Sequence, residues 1–331
     1  MERALVTGGG GFLGKAIVRK LKDRGDSVIS FSRQFYPDLD AMGVEQIQGD
    51  LADAGAVLGA AAGVDTVYHV AAKAGVWGDF DSYFRANVLG TENVIRACLE
   101  SRVPRLVYTS SPSVVFDGTD MEGVDETVPY PEKYHAPYPR TKAMAEKLVI
   151  GASARGLLTV SLRPHLIWGP GDNHLVPGII RRAKRLKRVG KGRNRVDTIY
   201  VDNAAEAHVL AADALKKNPS LSGNVYFISQ DEPVLLWDMV NAFLQAAGLP
   251  PVRGAVSART AWMAGRIMET AYACLGINAE PPMTGFVARE LATSHWFDIS
   301  RAKKDLGYVP GISTSQGLEN LRVWLDARRE K

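Results

Sequence analysis

A run of closely spaced glycines near the start of the sequence restricts the fold most strongly. Gly8, Gly11 and Gly14 stand directly after a short apolar run at residues 4–6 and before a helical pattern over residues 15–23. Strand, glycine turn and helix in this order allow a sharp turn, a close approach of the backbone to a pyrophosphate, and tight helix packing. The alternative, a mobile glycine loop, does not account for the flanking strand and helix. The sequence therefore predicts a dinucleotide site formed by Gly8, Gly11, Phe12, Leu13 and Gly14.

Strand and helix patterns alternate through the first half of the chain. Further strands are predicted over residues 27–31, 66–70, 105–109 and 158–162, with helices over residues 80–99 and from Tyr138 to about residue 155. Such alternation specifies a parallel sheet with helices on both faces. The predicted fold class is α/β: a doubly wound parallel Rossmann sheet with a smaller, discontinuous α-rich substrate lobe.

The length of 331 residues exceeds that of one ordinary domain. We predict that residues 1–171 and 197–228 form the NADP-binding Rossmann domain. Residues 172–196 and 229–331 then form the substrate-binding lobe.

The residues after the second predicted strand indicate which dinucleotide binds. Many NAD-binding proteins carry a carboxylate there for the ribose hydroxyls, whereas this chain has Ser32 and Arg33. A hydroxyl and a guanidinium suit a 2′-phosphate, so NADP(H) is favoured and NAD(H) is the alternative. An ordinary exposed loop cation is the other interpretation of Arg33. Asp50 either accepts a hydrogen bond from the adenine or caps a helix. The remaining cofactor candidates are Leu51 beside the adenine and Ala71 and Ala72 along the nicotinamide ribose.

Tyr138 and Lys142 are four residues apart, on one face of a predicted helix. A tyrosine normally holds its proton up to about pH 10, so an acid role near neutrality needs a neighbouring cation, and Lys142 is placed to supply it. Ser111 follows the strand over residues 105–109, at the sheet edge where ligands bind. Asn87, on the preceding helix, is predicted to brace backbone at the site or to hold a water. A solvated helix face is the alternative for Asn87.

Together these residues resemble a known family. The motifs Thr7-Gly8-x-x-Gly11-x-x-Gly14, Thr109-Ser110-Ser111, Tyr138-x-x-x-Lys142 and Arg163-Pro164 resemble the extended short-chain dehydrogenases/reductases, within them the 3β-hydroxysteroid dehydrogenase branch. The stretches AAKAGVWG (71–78), IWGPGD (167–172) and SHWFD (294–298) are similar to the bacterial 2-alkyl-3-oxoalkanoate reductases of long-chain olefin biosynthesis. The resemblance covers essentially the whole chain.

The resemblance implies a role for each site residue. Tyr138 protonates the carbonyl oxygen as hydride arrives, and Ser111 hydrogen-bonds the same oxygen. Lys142 holds the ribose hydroxyls and lowers the pKa of the phenol. Asn87 supports a water relay, and Pro164 contacts the cofactor. The implied function is reversible, NADP(H)-dependent reduction of the 3-keto group of a hydrophobic 2-alkyl-3-oxoalkanoic acid, in olefinic hydrocarbon biosynthesis.

Three other functions are open. An NAD(P)-dependent 3β-hydroxysteroid or sterol dehydrogenase would share the same site. Nucleotide-sugar epimerases and dehydratases of this superfamily typically place an arginine just before an aspartate in a strand, where this chain has Val196 before Asp197. Arg195 is one residue off and would point to the other face. A non-catalytic Rossmann binding protein is disfavoured by the intact catalytic set.

Charge and hydropathy limit the partners. A net charge of +4 does not indicate nucleic acid. Nine Lys or Arg residues and no acid lie within residues 181–195. This run is either a solvated surface or a docking site for an acidic partner, an acyl carrier, a lipid headgroup or other enzymes of the same lipid pathway.

Residues 256–275 are apolar but contain Arg259, Arg266 and Glu269, which favours a lobe helix over a membrane span, with peripheral membrane contact as the alternative.

The remaining expectations concern location and assembly. The first strand begins almost at Met1 without a secretory pattern, so the cytoplasm is expected. Cys98 and Cys274 are predicted to be buried thiols, and no metal site is expected. The resemblance implies a homodimer. The substrate is expected to be a hydrophobic small molecule. The candidates for lining its tunnel, for each of which a core position is the favoured interpretation, are Trp77, Phe80, Tyr83, Trp168, Trp262 and Met263.

Overall fold

The computed structural model describes residues 1–329. Its strands are β1 (Arg3–Thr7), β2 (Ser27–Ser32), β3 (Glu45–Gln48), β4 (Thr66–His69), β5 (Arg105–Thr109), β6 (Met121–Val124), β7 (Leu158–Pro164), β8 (Ile167–Trp168), β9 (Arg188–Val189), β10 (Arg195–Val196), β11 (Ile199–Tyr200), β12 (Asn224–Ile228), β13 (Val234–Leu235), β14 (Ala255–Val256) and β15 (His295–Phe297). Its helices are α1 (Phe12–Asp23), α2 (Pro37–Ala41), α3 (Ala54–Ala60), α4 (Phe80–Tyr83), α5 (Gly90–Glu100), α6 (Pro137–Ala152), α7 (Leu175–Arg182), α8 (Val201–Lys217), α9 (Leu236–Ala246), α10 (Ala258–Cys274), α11 (Gly285–Glu290), α12 (Ser300–Leu306) and α13 (Thr314–Arg329).

Seven parallel strands form the central sheet, in the order β12-β7-β5-β4-β1-β2-β3. Their side chains are mostly buried and apolar because helices cover both faces, with α1 and α8 on one face and α3, α5 and α6 on the other. The predicted doubly wound sheet is therefore confirmed. The strand order reverses between β1 and β4, and ligands bind beyond the carboxyl ends of the strands at such a point.

Two helices differ from their predicted form. Helix α1 begins at Phe12, so Gly14 lies inside it, where a Cβ atom would be 2.1 Å from the Gly8 carbonyl oxygen. The helix predicted over residues 80–99 is interrupted by a π-helical turn, Phe84–Leu89, between α4 and α5. Such turns occur frequently at functional sites, and this one contains the buried Asn87.

A second, four-stranded sheet has the order β13-β10-β15-β6 and packs with α7, α9, α11 and α13 outside the central sheet. Trp168 is fully buried there, with ring centroids 5.4 Å from Tyr200 and 5.2 Å from Phe243. This core position differs from the tunnel-lining role that was one expectation for Trp168. The domain boundaries given above stay a prediction.

Helix α10 is the helix predicted over residues 256–275. It buries only Ala261 and Gly265, which pack towards α11. Cys274, near its end, is therefore exposed, and the prediction that both cysteines are buried was wrong for this one. Within residues 1–329, no helix combines the length and apolar character that crossing a membrane requires.

A buried ion pair joins α6 to β7. Arg163 Nε and Nη2 donate to the two carboxylate oxygens of Glu146 at 3.0 and 2.6 Å. The Tyr130 hydroxyl donates to Glu146 Oε1 at 2.6 Å, and the guanidinium lies 5.2 Å from the centre of the Phe227 ring. Both members of the pair are buried. Removing one member would leave the other charge unpaired away from water, so the pair fixes α6 against the sheet.

We expect Glu146→Ala to lower the free energy of unfolding by about 3–5 kcal/mol, because Arg163 would stay buried without its counter-charge. Glu319→Ala is the matched control. It removes a carboxylate 2.6 Å from Arg322 on exposed α13, and should leave the free energy of unfolding almost unchanged. Urea denaturation of both variants measures the difference, and similar losses would show that the buried pair does not anchor α6.

Candidate active site

Ser111 and Tyr138 lie near each other beyond the carboxyl end of β5, and the Ser111 hydroxyl is bonded to the Ser113 hydroxyl at 2.9 Å. Ser111 has extended backbone, and its side chain caps a short 3₁₀ turn over Pro112–Val115. Tyr138 is the second residue of α6. Burial raises the pKa of Tyr138 to about 12, and a hydrogen bond with Ser111 opposes that rise. The phenol therefore keeps its proton at neutral pH, which is the state that a proton donor needs.

Lys142 lies one turn further along α6 and points into the protein. Its buried ammonium donates to the Thr109 carbonyl oxygen at 2.5 Å and lies 4.2 Å from the centre of the Tyr108 ring. Burial lowers the pKa of Lys142 to about 7. The expectation that Lys142 lowers the pKa of Tyr138 stays a prediction; in the structure burial raises that pKa, and Ser111 supplies the opposing contribution.

Asn87 braces the backbone beside the site. Its Oδ1 accepts from the Lys73 N–H at 2.7 Å, and its Nδ2 donates to the Lys73 carbonyl oxygen and to Thr141 Oγ1, each at 3.1 Å. These bonds fit the predicted role in which Asn87 braces the backbone. The water relay stays a prediction.

A buried chain of hydrogen bonds leads from β1 to Asn87 through a histidine that sequence reasoning missed. The Thr91 hydroxyl donates to the Asn87 carbonyl oxygen at 2.6 Å, so it accepts from His69 Nε2 at 2.9 Å. His69 Nδ1 then accepts from the Thr7 hydroxyl at 2.7 Å, and Thr7 Oγ1 accepts from the Ala71 N–H at 3.2 Å. Burial lowers the pKa of His69 to about 3, so the imidazole is neutral. The spacing of these residues in the sequence gave no signal that they meet.

The glycine loop is packed too tightly for any other residue type. Gly8 has φ +70°, and a Cβ atom on it would lie 3.0 Å from Ala71 Cα. Cβ atoms on Gly11 and Gly14 would lie 3.1 and 2.1 Å from the Gly8 carbonyl oxygen. The next residues, Phe12 and Leu13, open α1, whose first N–H groups have no side-chain cap. A close backbone loop at an uncapped helix N-terminus fits a diphosphate.

The residues assigned to the adenosine end lie at the carboxyl ends of β2 and β3. Ser32 ends β2, and its hydroxyl is buried without a hydrogen-bond partner among residues 1–329. Arg33 follows and is exposed. Asp50 Oδ1 accepts from the Ala52 N–H at 2.9 Å, and the N-cap of α3 is Asp53. The alternative role of Asp50 as that N-cap was therefore wrong.

The other predicted cofactor residues lie along the same edge of the sheet. Leu51 follows β3, where its carbonyl oxygen accepts from Asn93 Nδ2 at 2.8 Å. Ala71 and Ala72 follow β4, and the buried Pro164 ends β7. Since these strands are parallel, the fold brings all of these positions to the edge that carries the catalytic candidates.

Two side chains at this edge were missed by sequence reasoning. The Tyr36 ring packs on the glycine loop, since a Cβ atom on Gly10 would lie 2.1 Å from it. Glu290, at the end of α11, contributes to the raised pKa of Tyr138, and burial raises its own pKa to about 7. Contacts between distant parts of the chain leave no local pattern, so neither was predictable.

Comparison with known proteins identifies the family. Residues 5–255 match the model of the 3-beta hydroxysteroid dehydrogenase/isomerase family. The chain belongs to this family. The family predicted from the sequence motifs is thereby confirmed, and the chain is an oxidoreductase, as expected.

Full-length relatives of this family member include two reductases. A 2-alkyl-3-oxoalkanoate reductase of Stenotrophomonas maltophilia is 51% identical over 97% of this chain and 98% of its own length. A 2-alkyl-3-oxoalkanoate reductase of Shewanella oneidensis is 48% identical over 98% of this chain and 87% of its own length. A human sterol-4-alpha-carboxylate 3-dehydrogenase, decarboxylating, is 33% identical over 96% of this chain and 87% of its own length. The chain is thus similar along its whole length to enzymes that act on keto or hydroxyl groups.

Solved structures share the fold of this family member. MoeE5 in complex with UDP-glucose and NAD has a TM-score of 0.76 and 26% sequence identity, over 99% of both chains. The crystal structure of gox2253 has a TM-score of 0.79 at 26% identity, also over 99% of both chains. The NAD in MoeE5 supports a nicotinamide dinucleotide as the cofactor of this fold.

We expect Gly14→Ala to weaken NADPH binding by roughly tenfold or more, because its methyl group would lie 2.1 Å from the Gly8 carbonyl oxygen and displace the loop. Gly59→Ala is the control, since a methyl group there meets nothing within 4 Å. It should leave the affinity unchanged. Fluorescence titration with NADPH measures both constants, and equal affinities would contradict the assignment of the loop.

Proposed function

We propose that this protein reduces the 3-keto group of a hydrophobic 2-alkyl-3-oxoalkanoic acid to the 3-hydroxy acid, reversibly and with NADP(H), in olefinic hydrocarbon biosynthesis. The observation that carries the proposal is a Tyr138 phenol near Ser111 whose pKa is raised by burial to about 12, so that it keeps its proton. The similarity to 2-alkyl-3-oxoalkanoate reductases over nearly their full lengths supports the substrate class.

Each site residue has its own role in the proposed reduction. When bound, the nicotinamide supplies the hydride for the carbonyl carbon. Tyr138 transfers its proton to the carbonyl oxygen, and Ser111 donates a hydrogen bond to that oxygen. Negative charge developing there meets two donors already in position, where fixed dipoles are most effective. Lys142 holds the ribose hydroxyls, and Asn87 keeps the backbone at Lys73 in place.

We further propose NADP(H) rather than NAD(H). The Ser32 hydroxyl has no hydrogen-bond partner within the described chain, and Arg33 beside it is exposed. A hydroxyl and a guanidinium in this arrangement suit a 2′-phosphate.

A sterol or steroid 3β-hydroxy dehydrogenase is the second candidate function. The 33% identity to the human sterol-4-alpha-carboxylate 3-dehydrogenase favours it. A nucleotide-sugar substrate is opposed by β10, where Val196 is buried and Arg195 is exposed. The phosphate-binding arginine expected at the buried position is therefore replaced by an apolar side chain.

The proposals about partners and location are supported by charged and apolar side chains that are exposed on the protein surface. All nine Lys and Arg residues within 181–195 are exposed, and α10 exposes Met263 and Ile267. We propose that other enzymes of the same lipid pathway dock at the basic run and that α10 makes peripheral membrane contact. We also propose a cytoplasmic homodimer, with the substrate lobe formed by residues 172–196 and 229–331.

We expect Arg33→Ala to raise the KM for NADPH roughly tenfold to hundredfold, because a charge-assisted hydrogen bond contributes about 1.5–3 kcal/mol. The KM for NADH should not change, since NADH lacks the 2′-phosphate. Steady-state kinetics with both cofactors measure the two effects. A similar change for both would remove Arg33 from cofactor selection.

We expect Tyr138→Phe to lower turnover by about a hundredfold or more with NADPH affinity unchanged, because the proton donor is lost. Tyr134→Phe is the control: its hydroxyl donates to the Val114 carbonyl oxygen at 3.2 Å, and turnover should be kept. NADPH consumption is measured with 2-alkyl-3-oxo acids and 3-ketosteroids side by side. Full turnover in Tyr138→Phe would refute the mechanism, and activity on steroids alone would refute the substrate class.

A further inference from the structure

A cavity of about 310 Å³ lies beside the catalytic segments. His135, which lines it, comes three residues before Tyr138 in the chain. The Phe286 ring, also in the lining, meets the Phe116 ring edge-on at 5.9 Å, and Phe116 follows the turn that Ser111 caps. One of the two segments that carry the reacting hydroxyl groups therefore lines the cavity, and the other packs against its lining. Its lining residues are His135, Trp262, Arg266, Glu269, Gly285, Phe286 and Arg289.

The two arginines of this cavity differ in how their charge is balanced. Arg266 Nη1 donates to Glu269 Oε2 at 2.7 Å, and the same carboxylate accepts from the Gly285 N–H at 2.9 Å. Arg289 Nη1 instead donates to His135 Nε2 at 2.7 Å. The same His135 nitrogen also lies 3.3 Å from the Asp117 carbonyl oxygen. Arg266 thus has a carboxylate partner, whereas Arg289 forms no salt bridge with a carboxylate among residues 1–329.

The same nitrogen of Arg289 also lies against a backbone loop. Gly118 has φ +97°, and a Cβ atom on it would lie 2.8 Å from Arg289 Nη1. The backbone of this loop and the His135 ring therefore confine one end of the guanidinium. His135, to which Arg289 donates, comes three residues before Tyr138 in the chain, so the guanidinium is bonded to the segment that carries the phenol. A guanidinium held in this way loses little freedom when it binds an anion.

We propose that Arg289 binds the carboxylate of the substrate and makes this cavity the carboxylate subsite. The inference rests on the proposed function, since a 2-alkyl-3-oxo acid carries its carboxylate two carbons from the keto group. A carboxylate that gives up water on entering the cavity needs a paired cation, and a guanidinium can meet both of its oxygens. The rings of Trp262 and Phe286 stand among lining side chains that are otherwise mostly charged or polar. A neutral ketosteroid has no group that would use this cation, whereas a sterol carboxylate would, so Arg289 selects acids of either class.

The test compares an acid with its neutral methyl ester in Arg289→Met, which removes the charge but keeps much of the side-chain length. We expect the KM for the 2-alkyl-3-oxo acid to rise roughly tenfold to hundredfold, with kcat little changed, because the lost interaction is the same in the ground and transition states. The KM for the ester and the affinity for NADPH should stay the same. Arg289→Lys should restore part of the preference for the acid.

Arg259→Met on α10 is the control for general electrostatics, since it removes a nearby surface cation that does not line the cavity. It should leave the ratio of acid to ester KM unchanged. Quenching of Trp262 fluorescence by the acid gives a second readout, which should be weakened in Arg289→Met.

An equal change in the KM for the acid and for the ester, or no change in either, overturns the subsite. If the wild-type enzyme reduces neither compound, the proposed function is wrong. If it reduces the acid and Arg289→Met does so with the same KM, only the subsite is wrong.

Discussion

The position of Tyr138 depends on the ion pair between Glu146 and Arg163, because this pair fixes α6 to β7. A bidentate pair out of contact with water tolerates little displacement, since any shift leaves two charges poorly matched. One turn earlier, the ammonium of Lys142 is bonded to the carbonyl group at the end of β5. Two consecutive turns of one helix are thus attached to two neighbouring strands. The phenol is held beside Ser111 by the protein alone.

A second attachment connects the glycine loop to the same helix. Thr7, the last residue before the loop, is linked through His69 and Thr91 to the carbonyl group of Asn87, whose side chain bonds Thr141 on α6. Every link joins a donor to an acceptor, and a fully satisfied buried network stiffens the elements that it joins. The loop that fits a diphosphate and the helix that carries the proton donor therefore share one rigid support.

The parts of the structure with a local cause were predictable, and the parts created by tertiary contact were not. Strands β2 and β5 and helix α6 follow from apolar periodicity and bounding glycines or prolines, and their predicted ends lie within a few residues of those observed. Helical spacing places Lys142 on the same face as Tyr138, but it cannot show that the ammonium turns to a carbonyl group on β5. The π-helical turn around Asn87 likewise depends on buried partners outside the helix. The roles given to individual site residues stay predictions, because they concern a cofactor and a substrate.

The electrostatics of the site favour an acidic substrate with a fixed cation beside it. Burial keeps the imidazole of His69 uncharged, and it keeps the Tyr138 phenol protonated. Negative charge that develops on a keto oxygen is removed by the phenolic proton, but a carboxylate two carbons away stays negative throughout the reaction. In a site of low dielectric, these two negative charges would repel each other strongly. A guanidinium at the carboxylate offsets its charge in the bound substrate and in the transition state alike, so Arg289 would act mainly on binding. A neutral sterol presents no such second charge, and the same cation would then serve no purpose.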